Sequence, residues 1–275
     1  MIKYLVFGST GQIATAFKDV VDNAIFINRS TANLLNTDAC TDIIKKSDAD
    51  VIVNLAAYTG VKNCPDNMKE AYIVNSITPI VMAQAAKDNN KVFIHISTDY
   101  VYNGKKKKAY KEKNRTHPIN SYGITKELAD IGISRVGGTY AIIRTSWVFS
   151  DKGKNFVNTI KNLATNQSSI SVVDDQIGGP TSASSIASII PTIAKKLLRN
   201  STVSGVYNYS GVPAVSWADF AEYIVKSNNY TCKINRISTK GSNDSIKRPK
   251  NSRLDCSKIY RTFNIEQPYW PLNEV

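Results

Sequence analysis

Short apolar runs alternate along this chain with longer segments in which apolar residues return every three or four positions. Tyr4 to Phe7 is a compact apolar run ending at Gly8, after which Ile13, Phe17, Val20 and Val21 recur at helical spacing. A period of two or less followed by one near 3.6 predicts a strand and then a helix. The unit repeats. Ala24 to Ile27 reads as a second strand, Ile43 and Ile44 lie in a polar helix, and Val51 to Val53 reads as a third strand. Ile73, Val74, Ile77, Ile80, Val81 and Ala85 predict a helix from about Glu70 to Asp88, and Val92 to Ile96 a fourth strand. A helix follows around Tyr122 to Arg135, then a fifth strand at Ala141 to Ile143.

Strands buried on both faces read as continuous apolar runs, and here such runs are separated by helices. The expected class is α/β, a Rossmann-like doubly wound parallel sheet. After about Ser150 the pattern is mixed, with a helix from Phe156 to Ala164, a short strand from Ile170 to Val173 and a loop from Gln176 to Thr181. That predicts a smaller, interrupted C-terminal substrate domain. The helix Ala183 to Leu198 and the strand Gly205 to Asn208 suit the larger unit better. The expected division is an NAD(P)-binding domain over 1–149, to which 183–209 return, and a mainly substrate-binding domain over 150–275.

The 275 residues are 42% hydrophobic and 21% charged, an ordinary globular mixture. No apolar run approaches the roughly 20 residues needed to span a bilayer, so a cytosolic enzyme without membrane attachment is expected. The four cysteines, Cys40, Cys64, Cys232 and Cys256, are scattered and accompanied by only two histidines, His95 and His117. Reduced thiols and no metal site are expected. The net charge of +13 raises the question of a polyanionic partner. Much of the excess lies in Lys105 to Lys108 with Lys111, Lys113 and Arg115, which reads as a solvated loop rather than a nucleic-acid or membrane patch.

In such sheets ligands bind at the carboxyl ends of the strands, and the residues with chemistry to offer follow strands here. Gly8, Gly11 and Ala14 after the first strand form a glycine loop opening a helix, the context in which backbone N–H groups face a pyrophosphate. Asn28 and Arg29 end the second strand, where an arginine accommodates a ribose 2′-phosphate; NADPH is favoured, with NADH as the alternative. Thr98 and Asp99 come off the fourth strand, and Thr98 is placed to hydrogen-bond a reacting oxygen. Tyr122 and Lys126 share a helix face at i, i+4, so the ammonium is expected to favour the ionised phenol and make Tyr122 a usable acid. His95, inside an apolar strand, reads as a packing residue without a catalytic role.

Phe7-Gly8-Ser9-Thr10-Gly11-Gln12, Ser97-Thr98-Asp99-Tyr100-Val101-Tyr102 and Tyr122-Gly123-Ile124-Thr125-Lys126 resemble the extended short-chain dehydrogenase/reductases. Arg144-Thr145-Ser146-Trp147-Val148 and Arg248-Pro249-Lys250-Asn251-Ser252-Arg253-Leu254 are similar to a subgroup that reduces nucleotide sugars. The resemblance implies NADPH-dependent reduction of the C4 ketone of a nucleotide-linked 4-keto-6-deoxyhexose, the last step of dTDP-L-rhamnose synthesis. It implies Tyr122 as proton donor, Lys126 as ribose holder and Thr98 as the group orienting the ketone. It places Gly11, Gln12, Ile13, Asn28, Asn33, Leu34, Ala57, Tyr58, Thr59 and Ile96 at the cofactor, Asp99 and Trp147 at the sugar, and Arg248, Asn251 and Ser252 near the nucleotide or diphosphate.

The chain departs from that pattern at three places. Thr15-Ala16 stands where some relatives carry a magnesium-binding glutamate at a dimer interface, so a monomer or homodimer without metal is expected. Val61-Lys62-Asn63-Cys64 replaces the usual Val-Asp-Lys-Ala, and no amphipathic helix is expected in the final stretch, Trp270 to Val275. Two rival readings stay open: a related 4-reductase or bifunctional 3,5-epimerase/4-reductase acting on another sugar or nucleotide, and a non-catalytic regulatory subunit resembling the β subunit of methionine adenosyltransferase.

Overall fold

From the N terminus, β1 (Tyr4–Phe7), α1 (Gln12–Lys18), β2 (Ala24–Ile27), α2 (Thr37–Lys46), β3 (Val51–Asn54), α3 (Met68–Tyr72), a π turn at Ile73–Ile77, α4 (Thr78–Asp88), β4 (Val92–Thr98), α5 (Ser121–Val136) and β5 (Tyr140–Thr145) follow one another. Next come β6 (Val148–Phe149), α6 (Phe156–Asn166), β7 (Ser169–Val173), β8 (Ile177–Gly178), β9 (Thr181–Ser182) and α7 (Ala183–Arg199). The chain continues through β10 (Gly205–Asn208), β11 (Val215–Ser216), α8 (Trp217–Ser227), β12 (Lys233–Ile237) and α9 (Ser257–Phe263). This computed structural model describes residues 1–242 and 246–270. Most of the C-terminal stretch noted above, 271–275, therefore lies outside the described residues.

Six strands form one sheet in the order β10-β5-β4-β3-β1-β2, with every pairing parallel. Alternate side chains leave opposite faces. Val6, Val53, Ile94 and Ile143 pack toward Ile186, Ile190 and Ile193 of α7 and Phe17 of α1. Leu5, Ile52, Phe93 and Ile142 pack toward Ile44 of α2, Met82 of α4, and Ala129 and Ile133 of α5. Burial on both faces is why these strands read as unbroken apolar runs. The strands from 4 to 145 form where the pattern places them, and β2 and β10 have the expected ends. The chain returns to the large sheet as β10, paired with β5, while α7 packs against α1.

A third apolar cluster joins Phe149, Val157 and Ile160 to Ile170, Val172, Phe220, Ile224 and Trp270. Around it lie three two-stranded sheets, β12 with β7, β11 with β8 and β6 with β9. Several of these elements have no counterpart in the pattern reading. Strands of two residues are too short to show a period, and α8 is announced mainly by its capping box, in which Ser216 and Asp219 satisfy each other's backbone N–H groups.

The single helix expected over Glu70 to Asp88 is three segments. Pro79 cannot donate to the carbonyl four residues back, and the ladder widens into a π turn over Ile73–Ile77 just before it. The widening brings Asn75 and Ser76 inward against α5. Asn75 Nδ2 donates to Thr125 Oγ1 at 3.1 Å, and Ser76 Oγ to the Thr125 carbonyl at 2.7 Å.

Helix α5 is also fixed to the sheet by charge. Asp130 accepts from Arg144 Nε of β5 at 2.8 Å, both are almost fully buried, and Arg144 also donates to the Tyr102 hydroxyl at 2.8 Å. Removing one partner strands a buried charge, which typically costs about 3–5 kcal/mol. Arg144→Met is therefore expected to lower urea-unfolding stability by that order. A loss below about 1 kcal/mol would show that the ion pair does not anchor α5.

Candidate active site

The loop after β1 turns at Gly8, whose φ of +93° is a left-handed conformation; a Cβ there would also sit 2.7 Å from the Ala56 nitrogen. Gly11 caps α1 without a side-chain hydrogen bond, so the first backbone N–H groups of the helix face the crevice rather than a side-chain cap. Gln12 ties this loop to the other side of the crevice, its Oε1 accepting from Ser150 Oγ at 2.8 Å and Asn155 Nδ2 at 2.9 Å.

Two cavities meet over the loop. The first, about 280 Å³, is lined by Gly8, Gly11, Asn28, Arg29, Asn33, Leu34, Ala57, Tyr58, Thr59 and Glu70. The second, about 550 Å³, is lined by Gln12, Ile13, Ile96, Ser97, Thr98, Asp99, Tyr122, Lys126, Thr145, Trp147 and Trp217. They share Thr10, Gly11, Leu55, Ala57 and Thr59, which makes one crevice along the carboxyl ends of β1 to β5. Each residue placed at the cofactor from sequence, and each of Thr98, Asp99, Tyr122, Lys126 and Trp147, borders it.

In the first cavity Asn28 folds its side chain over its own turn, accepting from Ser30 Oγ at 2.6 Å and Thr31 N–H at 2.9 Å. Arg29 is mostly exposed and pairs with Glu70 at 3.3 Å. The wall between the cavities is held by Asn75, which accepts from the Tyr58 N–H at 2.7 Å and donates to the Tyr58 carbonyl at 3.0 Å. The same side chain thus joins the 56–59 segment to α5.

Gly123 lets α5 approach the turn after β4, because a Cβ there would run into the Tyr100 carbonyl. That approach sets Tyr122 beside Tyr100, with ring centroids 6.0 Å apart, and close to Thr98 and Asp99. Burial pushes the Tyr122 phenol above its ordinary pKa, Asp99 adds to the rise, and a hydrogen bond with Thr98 opposes it. The expected lowering by Lys126 is absent from this arrangement. Lys126 Nζ lies 2.8 Å from His95 Nε2 and donates to the Ile96 carbonyl at 2.7 Å. Burial brings Lys126 down to about 8, with Asp130 acting the other way. The fully buried His95, read from sequence as packing alone, is thus a direct partner of Lys126.

Asp99 is 2% exposed, and burial raises it to about 7 against the opposing pull of hydrogen bonds from Ser252 and Thr98. Its Oδ2, Ser97 Oγ and Thr145 Oγ1 are buried without protein partners, and all three residues line the second cavity. A wall with polar atoms left over suits a ligand rich in hydroxyls. Across from it Trp147 adopts φ +49°, costly for a bulky residue, and stacks on Trp217 with centroids 3.4 Å apart and planes 5° from parallel.

Three residues expected near the nucleotide or diphosphate line neither cavity. Asn251 is spent on the lysine loop, its Nδ2 donating to the Lys106 and Lys108 carbonyls and its Oδ1 accepting from Arg253. Ser252 lies behind Asp99 rather than on the cavity wall, and Arg248 borders neither cavity. Conversely, Trp217 and Asn75 escaped the sequence reading. Neither belongs to a short motif, and each gains its place through contacts distant in sequence.

A family described as RmlD substrate binding domain matches residues 2–273. A dTDP-4-dehydrorhamnose reductase of Aggregatibacter actinomycetemcomitans is 37% identical over 98% of this chain and 96% of its own length. The spore coat polysaccharide biosynthesis protein SpsK of Bacillus subtilis is 31% identical over 98% and 94%. Among solved structures, a dTDP-4-dehydrorhamnose reductase from Bacillus anthracis in complex with NADP superimposes with a TM-score of 0.91, at 28% identity and covering 98% of this chain and 96% of that one. A UDP-glucose-4-epimerase from Stenotrophomonas maltophila, 13% identical with a TM-score of 0.84 and coverage of 100% and 96%, shares the fold. With its Rossmann-like sheet, glycine loop and Thr98–Tyr122–Lys126 crevice, this chain belongs to the RmlD family.

Proposed function

We propose that the protein reduces the C4 ketone of dTDP-4-dehydro-L-rhamnose with NADPH, giving dTDP-L-rhamnose. The observation that carries this reading is the convergence of Thr98, Tyr122 and Lys126 on a crevice continuous with the glycine loop. The similarity to enzymes of that name supports the choice of sugar and nucleotide.

The residues present fit a dinucleotide. Gly8 and Gly11 line the cavity with backbone alone, and Arg29 offers a mostly exposed guanidinium at the ribose end for a 2′-phosphate. Glu70, its neighbour, is able to accept from a free 2′-hydroxyl, which makes NADH a second usable cofactor. Asn28, Asn33, Leu34, Ala57, Tyr58 and Thr59 would enclose this half, and Gln12, Ile13 and Ile96 the nicotinamide half. Residues 1–149 with 183–209 would carry the cofactor, and residues mainly from 150 onward would close over the sugar nucleotide.

When bound, the reduced nicotinamide supplies the hydride that adds to C4. Tyr122 then gives its phenolic proton to the oxygen at C4, so that the ketone becomes a secondary alcohol. The raised pKa keeps that proton in place until negative charge develops on the substrate oxygen. Thr98 holds the same oxygen, Lys126 holds the nicotinamide ribose, and Asp99 and Trp147 contact the sugar. Ser252 acts on the substrate through Asp99.

The activity is tested by following NADPH oxidation with dTDP-4-dehydro-L-rhamnose beside its C3/C5-unepimerised precursor and the UDP equivalents. Turnover restricted to the first is expected. Turnover only with another sugar or nucleotide would reassign the substrate, and none with any would favour a regulatory role. Tyr122→Phe is expected to bind NADPH normally while losing about 10²–10⁴-fold in turnover; unchanged turnover would remove Tyr122 as the acid.

Arg29→Ala should raise the KM for NADPH by about tenfold, roughly 1.4 kcal/mol, and leave that for NADH nearly unchanged. Equal effects would sink the phosphate contact. Asp99 makes a pH-dependent contribution of definite sign. Its folded pKa lies above the ordinary carboxyl value, so its contribution to stability is full below about pH 4 and is lost as pH rises through about 7. Relative to the parent, Asp99→Asn should therefore gain stability between about pH 5 and pH 8 in urea unfolding. A difference that stays flat across that window would mean that Asp99 is already ionised in the folded protein.

A further inference from the structure

A nucleotide sugar carries a diphosphate that stays ionised near neutrality, and such an anion is held by cations and N–H donors. The cavity bordered by Thr98, Tyr122 and Trp147 has two lysines on its wall, Lys126 and Lys154, and no arginine. Lys126 is 1% exposed, and its Nζ is taken up by His95 and the Ile96 carbonyl. Lys154 is exposed, and among the described residues no hydrogen bond or ion pair engages it. It is the cation on this wall that the protein leaves for a ligand.

Lysines on exposed loops usually do no more than meet solvent, and two features set this one apart. The loop before α6 turns its carbonyls inward. Asn158 Nδ2 donates to the Ser150, Asp151 and Gly153 carbonyls at 3.3, 3.2 and 2.9 Å, and Asn155 Nδ2 to the Ser150 carbonyl at 2.8 Å. Gly153, at φ +78°, makes the reversal. A backbone held at these points keeps the base of the Lys154 side chain at the edge of the cavity. The second feature is α6 itself. Asn155, which lines the same cavity, caps this 11-residue helix by accepting from the Asn158 N–H at 3.0 Å, so the positive end of the helix adds to the field around Lys154.

We propose that Lys154 binds the diphosphate of the sugar nucleotide, a contact that neither Arg248 nor Asn251 is placed to make. The proposal rests on the reading of this cavity as the sugar-nucleotide site. The diphosphate of the cofactor has a different place, because the first N–H groups of α1 face the crevice at the glycine loop, and Lys154 borders the second cavity but not the first. Reduction at C4 leaves the charge of the diphosphate unchanged. The contact is therefore equally strong in the ground state and the transition state, and it contributes to KM rather than to kcat.

The test is titration calorimetry of the full chain in the presence of NADP⁺, with dTDP and UDP as separate probes, so that it needs no turnover. Lys154→Gln is expected to weaken dTDP binding by about tenfold, Lys154→Arg to restore most of it, and both to bind NADPH as the parent does. Lys152→Gln removes the same charge from the same loop, on the wall of a different cavity, and should bind dTDP like the parent. In turnover, Lys154→Gln should raise the KM for the sugar nucleotide by the same factor and leave kcat nearly unchanged. Equal dTDP affinity in Lys154→Gln and the parent, or an equal loss in Lys152→Gln, would overturn the contact. A loss of NADPH affinity in its place would overturn it too, by putting Lys154 on the cofactor. A parent that binds UDP and not dTDP would change only the nucleotide, and the same variants would then be read on UDP. A parent that binds neither would overturn the sugar-nucleotide reading and this contact together.

Discussion

Helix α5 carries two ionisable groups into the interior, and a buried ionisable group is tolerated only where partners meet it. Lys126 meets His95 and the Ile96 carbonyl on β4; one turn later Asp130 meets Arg144 on β5. Two such anchors on one face fix both the rotation and the axial position of the helix. Tyr122, one turn before Lys126, is thereby aimed at the end of β4, where Thr98 and Asp99 leave the sheet. The position of the Tyr122 phenol therefore follows from the satisfaction of two buried ionisable groups behind it.

The second consequence is electrostatic. Taking Tyr122, Lys126 and Asp99 out of water moves each toward its uncharged form, the phenol and carboxyl upward and the amine downward. A site of this kind holds protons on its acids, as a reductase requires, since the alcohol product needs a proton that the hydride does not bring. The buried oxygens of Ser97, Asp99 and Thr145 that lack protein partners line the same cavity. They mark where a polyhydroxylated substrate would complete the hydrogen bonding.

The parallel sheet was legible in the sequence because its strands are buried on both faces and its helices expose one; the first leaves unbroken apolar runs and the second a helical period. The glycine loop and the Tyr122–Lys126 pair were legible because local geometry requires those residues at those spacings. The second half was less so. Strands such as β8 and β9 are two residues long, and Trp147 and Trp217 meet only in three dimensions. The sense of the Tyr122 shift also escaped the sequence, because i, i+4 spacing places Lys126 near the phenol without revealing that His95 and the Ile96 carbonyl engage its nitrogen. Asn251 was legible as a motif residue, but its amide serves the carbonyls of the lysine loop.

The central claim is that this site joins a hydride from the nicotinamide to a proton from Tyr122 at one carbonyl. The most direct measurement is the fate of deuterium in dTDP-4-dehydro-L-rhamnose reduced with C4-deuterated NADPH, and in a parallel reaction with ordinary NADPH in D₂O, both read by NMR and mass spectrometry of the product. The account predicts one deuterium on the sugar C4 in the first reaction and no carbon-bound deuterium in the second. Label missing from C4 in the first would contradict hydride transfer, and solvent deuterium at C3 or C5 in the second would show that the same site also epimerises.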